Sequence, residues 1–253
     1  IFMTTLDAVS VLADRLALKS AKRLKNEKIP AVPAAKPVKI SGEKYICGFA
    51  SRDITPGDLL SHTYWMAGYN IAKSIKGYLD PLTVNAMWLG TDSGKGVVLV
   101  SADLIGLTGY DIALIRAELQ DFCRLTGCQN ITVSCTHTHA GIDTMGYWGV
   151  LPKTGKDKTF QNTVMRTIAD LCKEAYINRR EGRLYYGSIE APELVNRWRE
   201  PYFSNDRLHR FRFVPNDGST ETWYLNFGAH PNTLGGKNRV LSADYPCYMR
   251  KEI

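Results

Sequence analysis

The spacing of apolar and polar positions changes period several times along these 253 residues. From 4 to 26 the apolar residues recur at helical spacing. Leu6, Val9, Leu12, Leu16 and Leu18 stand against Arg15, Lys19, Lys22 and Arg23, which predicts a basic amphipathic helix within residues 1–28. "KIPAVPAAKPVKISG" follows, a Pro/Ala/Lys linker assigned to 29–44. From Tyr45 the pattern becomes that of a folded domain, assigned to 45–253. "YICGFASRDITPG" reads as a strand ended by Pro56-Gly57. Strands at 86–91 and 96–102, joined by Asp92-Ser93-Gly94, read as a hairpin, and "GVVLVSA" in the second is apolar on both faces and hence central. "YDIALIRAELQDFCRLTG" is one helix closed by Gly127. The alternation Ile131, Val133, Cys135 against Thr132, Ser134, Thr136 is a strand.

Strand, helix, strand over this span is a βαβ unit with parallel neighbours. A long helix over about 159–181 follows, with Phe160, Val164, Ile168, Leu171 and Ala175 in period. Strands at 183–190, 207–214 and 221–228 complete the chain's regular pattern. The expected fold class is therefore α/β, a mixed and partly parallel sheet flanked by helices.

Candidate chemistry sits in "ITVSCTHTHAG", 131–141, which holds two of the five histidines. Side chains two apart on a strand share a face, so His137 and His139 are expected to project together from its carboxyl end. His230, in "LNFGAHPNTLG", follows the strand 221–228 in the same way. Open α/β sheets gather ligands outside the carboxyl ends of strands. Three imidazoles suit Zn2+, which at catalytic sites takes three protein ligands and leaves a position open. A hydrogen-bonded polar residue is the alternative for each histidine taken alone. Two common HxH zinc frameworks do not fit: one needs Asp and His where Gly141 and Ile142 stand, and the other puts HxH on the first strand of a barrel.

The net charge of +7 narrows the partners by its location. Residues 1–44 hold nine Lys/Arg against four Asp/Glu, leaving about +2 on the rest, too little for a nucleic-acid groove. The basic helix 4–26 offers peripheral membrane contact, against the plainer reading that it packs on its own domain or a twin subunit. No apolar run reaches the ~18–20 residues of a membrane span. The beginning lacks a signal peptide's order, with Met3 read as the start, so a cytoplasmic location is expected. The six cysteines lack CxxC spacing and read as buried, reduced thiols.

Eight blocks in order resemble the neutral/alkaline (non-lysosomal) ceramidase family over about residues 45–253. They are "GFASRDITP", "MAGY", "GYLDPLTVNAMWL", "VVLVSADLIGL", "NITVSCTHTHAG", "VNR", "LNFGAHPNTLG" and "SADYPCY". The resemblance implies that His137 and His230 are zinc ligands and that His139 is a neighbouring catalytic histidine. Arg197, in "VNR", resembles the family's active-site arginine, whose fixed donors suit an oxyanion or a substrate hydroxyl. An ion pair with Glu200 or Asp206 is the plain alternative for it. Asp53, Asp103 and Asp244 lie in matching motifs and are expected to shape turns or to orient a ligand histidine through its other nitrogen. Gly68 and Gly141 are expected to serve close backbone approach or positive φ.

The family's remaining ligands, a glutamate and a tyrosine, and its serine lie beyond the "SADYP" block. The chain is therefore expected to be truncated at Ile253, and the short helix "YPCYMRKEI" to be unable to bury its apolar face. The sequence departs from the family at Ala140-Gly141-Ile142-Asp143 and at Cys247. The expected function is a zinc-dependent amide hydrolase releasing a fatty acid from a small-molecule N-acyl lipid or related amide. A zinc hydrolase of another amide or ester, and a non-catalytic binding relative, are the alternatives.

Overall fold

The computed structural model describes residues 42, 44–195, 200 and 205–253. The helix predicted in 4–26, most of the linker and Arg197 lie outside the described residues. The strands are β1 (Tyr45–Asp53), β2 (Gly77–Tyr78), β3 (Thr83–Thr91), β4 (Gly96–Ala102), β5 (Cys128–Cys135), β6 (Arg180–Glu190), β7 (Arg207–Pro215), β8 (Thr222–Asn226) and β9 (Val240–Leu241). The helices are α1 (Gly109–Glu118), α2 (Gln120–Thr126), α3 (Lys158–Ile177) and α4 (Tyr245–Lys251).

Seven strands form one sheet in the order β5-β4-β3-β1-β6-β7-β8, and β2 pairs with β9. Within the large sheet β4 and β5 are parallel, and the other neighbours are antiparallel. The fold class is α/β with a mixed sheet, as the pattern predicts. The hairpin β3–β4 turns through Gly94 at φ 79, and β4 lies between β3 and β5 as its apolar faces require. Val84, Ala86 and Trp88 of β3 and Val98, Val100 and Ala102 of β4 are buried, and so are all five periodic residues of α3. Together they make the main core between the sheet and α1–α3. Each such large apolar side chain contributes about 1.5–3 kcal/mol by leaving water. The opposite face carries a smaller cluster around Cys47, Met87 and Phe213.

Asp157 caps α3 by accepting from the Phe160 N–H at 2.8 Å, and Thr108 and Asp111 form a capping box on α1. The single helix expected over 110–127 is two. Leu119, fully buried, sits at φ −94 and ψ 9, and this break turns the chain so that Leu119 enters the core. Gly127 closes the second helix at φ 71, as expected. The helix expected to run to 181 ends at Ile177, and β6 begins at Arg180.

The terminal helix α4 corrects another expectation. It forms, with Cys247 buried and Arg250 gripping the carboxylate of Asp103 at 3.1 and 2.6 Å. Tertiary contacts supply what so short a helix lacks in propensity. All six cysteines are free thiols, four of them buried. Among the described residues no helix is long and apolar enough to cross a membrane.

Candidate metal centre

β5 ends at Cys135, so the two histidines of the HTH motif lie on the loop beyond it, not on the strand. His137 occupies the left-handed region at φ 67. The period-two argument therefore expects the two rings together by a geometry that the chain does not use. The turn is held at both ends of the residue: the His137 N–H donates to the Leu104 carbonyl at 2.9 Å, and its Nδ1 meets the Ile105 carbonyl at 2.6 Å. A carbonyl only accepts, so in the neutral ring Nδ1 carries the hydrogen and Nε2 keeps its lone pair.

His230 arrives by a different route from the one expected. β8 is the edge strand opposite β5, and five antiparallel steps separate them, so their carboxyl ends point opposite ways within the sheet. The segment after β8, not a shared sheet end, brings His230 to the HTH loop. The His139 N–H donates to the Pro231 carbonyl at 3.0 Å, and the Tyr69 hydroxyl to the Asn232 carbonyl at 3.2 Å. Tyr245 donates its hydroxyl to the Ala229 carbonyl at 2.6 Å. Asp244, buried, accepts from Thr233 through both its N–H (3.0 Å) and its hydroxyl (2.8 Å). Thr138 and Ala140 bond the Ser242 backbone.

The result is a triad. His137, His139 and His230 offer nitrogens that all lie within 4.8 Å of one another. The His139 and His230 Nε2 atoms are 2.6 Å apart, and the three ring centroids are separated by 4.5–5.0 Å. Crowding disfavours protonation of His139 and His230. The His139 ring is pushed down to about 4 by burial first, then by His230 and His137. His230 is lowered too, by burial and then by His137, with Asp244 opposing. Neutral rings at neutral pH are what a metal ion requires of histidine ligands.

One side of His139 is closed by the backbone. Gly68, at φ 106, lies so near that a Cβ there would overlap the His139 ring at its buried Nδ1. Tyr69 packs edge-on against the same ring, 5.0 Å between centroids. Gly68 thus serves both expected purposes. Gly141 serves only close approach, to the Thr138 side chain, and its φ is not positive.

The three aspartates bond no histidine. Asp53 accepts from the Thr55 N–H in a turn, and Asp103 holds Thr83 and Arg250. The contacting partner of His137 is a carbonyl instead, which no side-chain pattern announces. α4 braces both halves of the site. Arg250 fixes Asp103, which immediately precedes the two carbonyls that hold His137, while Asp244 and Tyr245 fix the His230 segment. Asp143 was legible only as a departure from the family pattern. It is buried and gathers the N–H groups of Met145, Gly146 and Trp148, shaping the loop after the motif.

Compared with solved structures, the fold is similar to neutral ceramidase from Pseudomonas aeruginosa, with a TM-score of 0.64 at 20% identity over 79% of this chain and 34% of that one. It is equally similar to a ceramidase solved in complex with C2, with a TM-score of 0.66 at 21% identity over 79% and 33% of the two chains. The chain spans about a third of the length of each. No family model and no curated protein sequence matches it. The fold is ceramidase-like.

Proposed function

We propose that this chain is part of a zinc-dependent amide hydrolase acting on an N-acyl lipid or a related amide. One observation carries the reading: a ceramidase-like fold gathers His137, His139 and His230 into one cluster of imidazoles whose nitrogens lie within 4.8 Å of one another. The donor set fits the ion. Imidazole nitrogens suit zinc, and the Ile105 carbonyl leaves the Nε2 of His137 free to bind. His137 and His230 would hold the metal, with His139 beside them. When bound, zinc would polarise the amide carbonyl and lower the pKa of a water.

The chain's own residues supply the rest. The His139 ring, neutral at neutral pH, would accept a proton from the attacking water and return it to the leaving nitrogen. Arg197 is assigned to the developing oxyanion through its fixed donors. The amide C–N bond breaks, the water oxygen enters the fatty acid, and the amine leaves with the transferred proton. The similarity to a ceramidase complexed with C2 supports a lipid-like amide as the substrate class.

The test is metal analysis of the full-length protein together with product analysis on a panel of N-acyl compounds. About one zinc per chain is expected, lost in His137→Ala and His230→Ala. His139→Ala is expected to retain metal and lose at least 100-fold in kcat. A protein that cleaves N-acyl amides undiminished after both ligand substitutions would refute the assignment.

A further inference from the structure

The loop after the HTH motif is built rigidly and points apolar residues into solvent. Asp143 fastens its base through the three N–H groups named above. The Thr154 hydroxyl donates to the Gly146 carbonyl at 3.2 Å, and Gly149 and Gly155 press so close that a Cβ on Gly149 would overlap the Gly155 backbone. Beyond this neck the chain makes a tight turn, with the Lys153 N–H donating to the Val150 carbonyl at 2.7 Å. At its corner Leu151 is 77% exposed and Val150 47%, and Tyr147 beside the neck is 67% exposed. Ile71, 56% exposed, comes from a neighbouring segment that is tied to this loop by the Ala72 N–H on the Trp148 carbonyl at 2.9 Å. That segment also carries Gly68 and Tyr69, which pack on His139.

A loop pinned at its base and neck holds these apolar groups outward, and such a patch marks a surface that something covers.

We propose that the tip 147–153 with Ile71 inserts shallowly into an anionic phospholipid bilayer and sets the histidine site at its surface. The charge argues for this occupant. Lys153 closes the apolar turn and Lys158, five residues on, is the first residue of α3; both are exposed cations suited to anionic headgroups. Tyr147 is the amphipathic ring favoured at such interfaces, and Trp148 packs against it at 5.9 Å between centroids. These residues are not those of the basic segment 4–26. It does not depend on the hydrolase reading, because binding and turnover are measured separately.

The experiment uses the full-length protein and vesicles of phosphatidylcholine alone or with phosphatidylglycerol. Co-sedimentation with the anionic vesicles is expected for the unmodified protein. Leu151→Asp should weaken it at least tenfold, and Lys153→Glu several-fold, with the denaturation midpoint unchanged. Absence of binding by the unmodified protein would overturn the proposal, as would undiminished binding by Leu151→Asp. A size-exclusion shift from dimer to monomer in Leu151→Asp would also overturn it, by assigning the tip to a second copy of the chain.

Discussion

Replacing Gly68 by alanine tests the packing of His139 directly, because Gly218 separates the two costs involved. Both glycines have positive φ, 106 and 74, so a Cβ at either incurs backbone strain of about 1–2 kcal/mol. At Gly218 a Cβ would meet nothing within 4 Å, and strain is the whole effect. At Gly68 it would overlap the His139 ring, and either the ring or the 65–72 segment must move. Overpacking of this kind adds about 1–3 kcal/mol. Gly68→Ala should therefore cost about 2–5 kcal/mol by urea denaturation of the metal-free full-length protein, against about 1–2 kcal/mol for Gly218→Ala. A cobalt or zinc titration adds a second readout, with binding at least tenfold weaker in Gly68→Ala and unaltered in Gly218→Ala. Equal destabilisation by the two variants, with metal binding intact in both, would show that His139 is not seated against Gly68.

Other expectations follow from single contacts. Chelation of a metal present at 1,000 times its Kd should lower stability by about 4 kcal/mol, and a chelator that leaves the melting curve in place would argue against a site coupled to folding. Arg250→Met leaves the Asp103 carboxylate buried without its cation and should cost about 3–5 kcal/mol. Adding Asp103→Asn should recover part of this, and strict additivity in the double-mutant cycle would mean that the pair is not coupled. The ring of His139, lowered to about 4, gives a pH signature with a definite sign. Between about 6.5 and about 4 the unfolded chain takes up a proton there that the native metal-free protein refuses. That contribution to stability is full above about pH 6.5 and is lost as pH falls toward 4. His139→Gln should flatten this part of the stability profile, and an unchanged slope would place the titration elsewhere.

The core was legible because its signals are local. The period of α3 names five residues that all prove buried, and Gly127 marks a helix end whose positive φ follows from the residue type. The βαβ unit follows from strand, helix, strand, and β4 and β5 are indeed parallel. The break at Leu119 was not legible, because an unbroken apolar period is compatible with one helix or with two meeting at a buried residue. α4 was misjudged for a related reason. Propensity and length describe an isolated helix, whereas α4 is held by a buried cysteine, a capping aspartate and an arginine reaching 147 residues back to Asp103.

The site divides along the same line, and His137 shows why. Residue types could nominate the three histidines, since imidazoles spaced as HxH are chemically conspicuous. Their arrangement could not be read, because it rests on main-chain groups. A left-handed histidine is unfavourable alone by about 1–2 kcal/mol, and it persists here because the Leu104 and Ile105 carbonyls hold its N–H and its ring. Those carbonyls follow Asp103, whose side chain is fixed by Arg250 of α4, and α4 also caps and braces the segment bearing His230. Histidines 93 residues apart are thus positioned from one short helix. A disturbance of α4 should therefore loosen both arms of the triad together, whereas a disturbance of β5 or β8 alone should loosen only one.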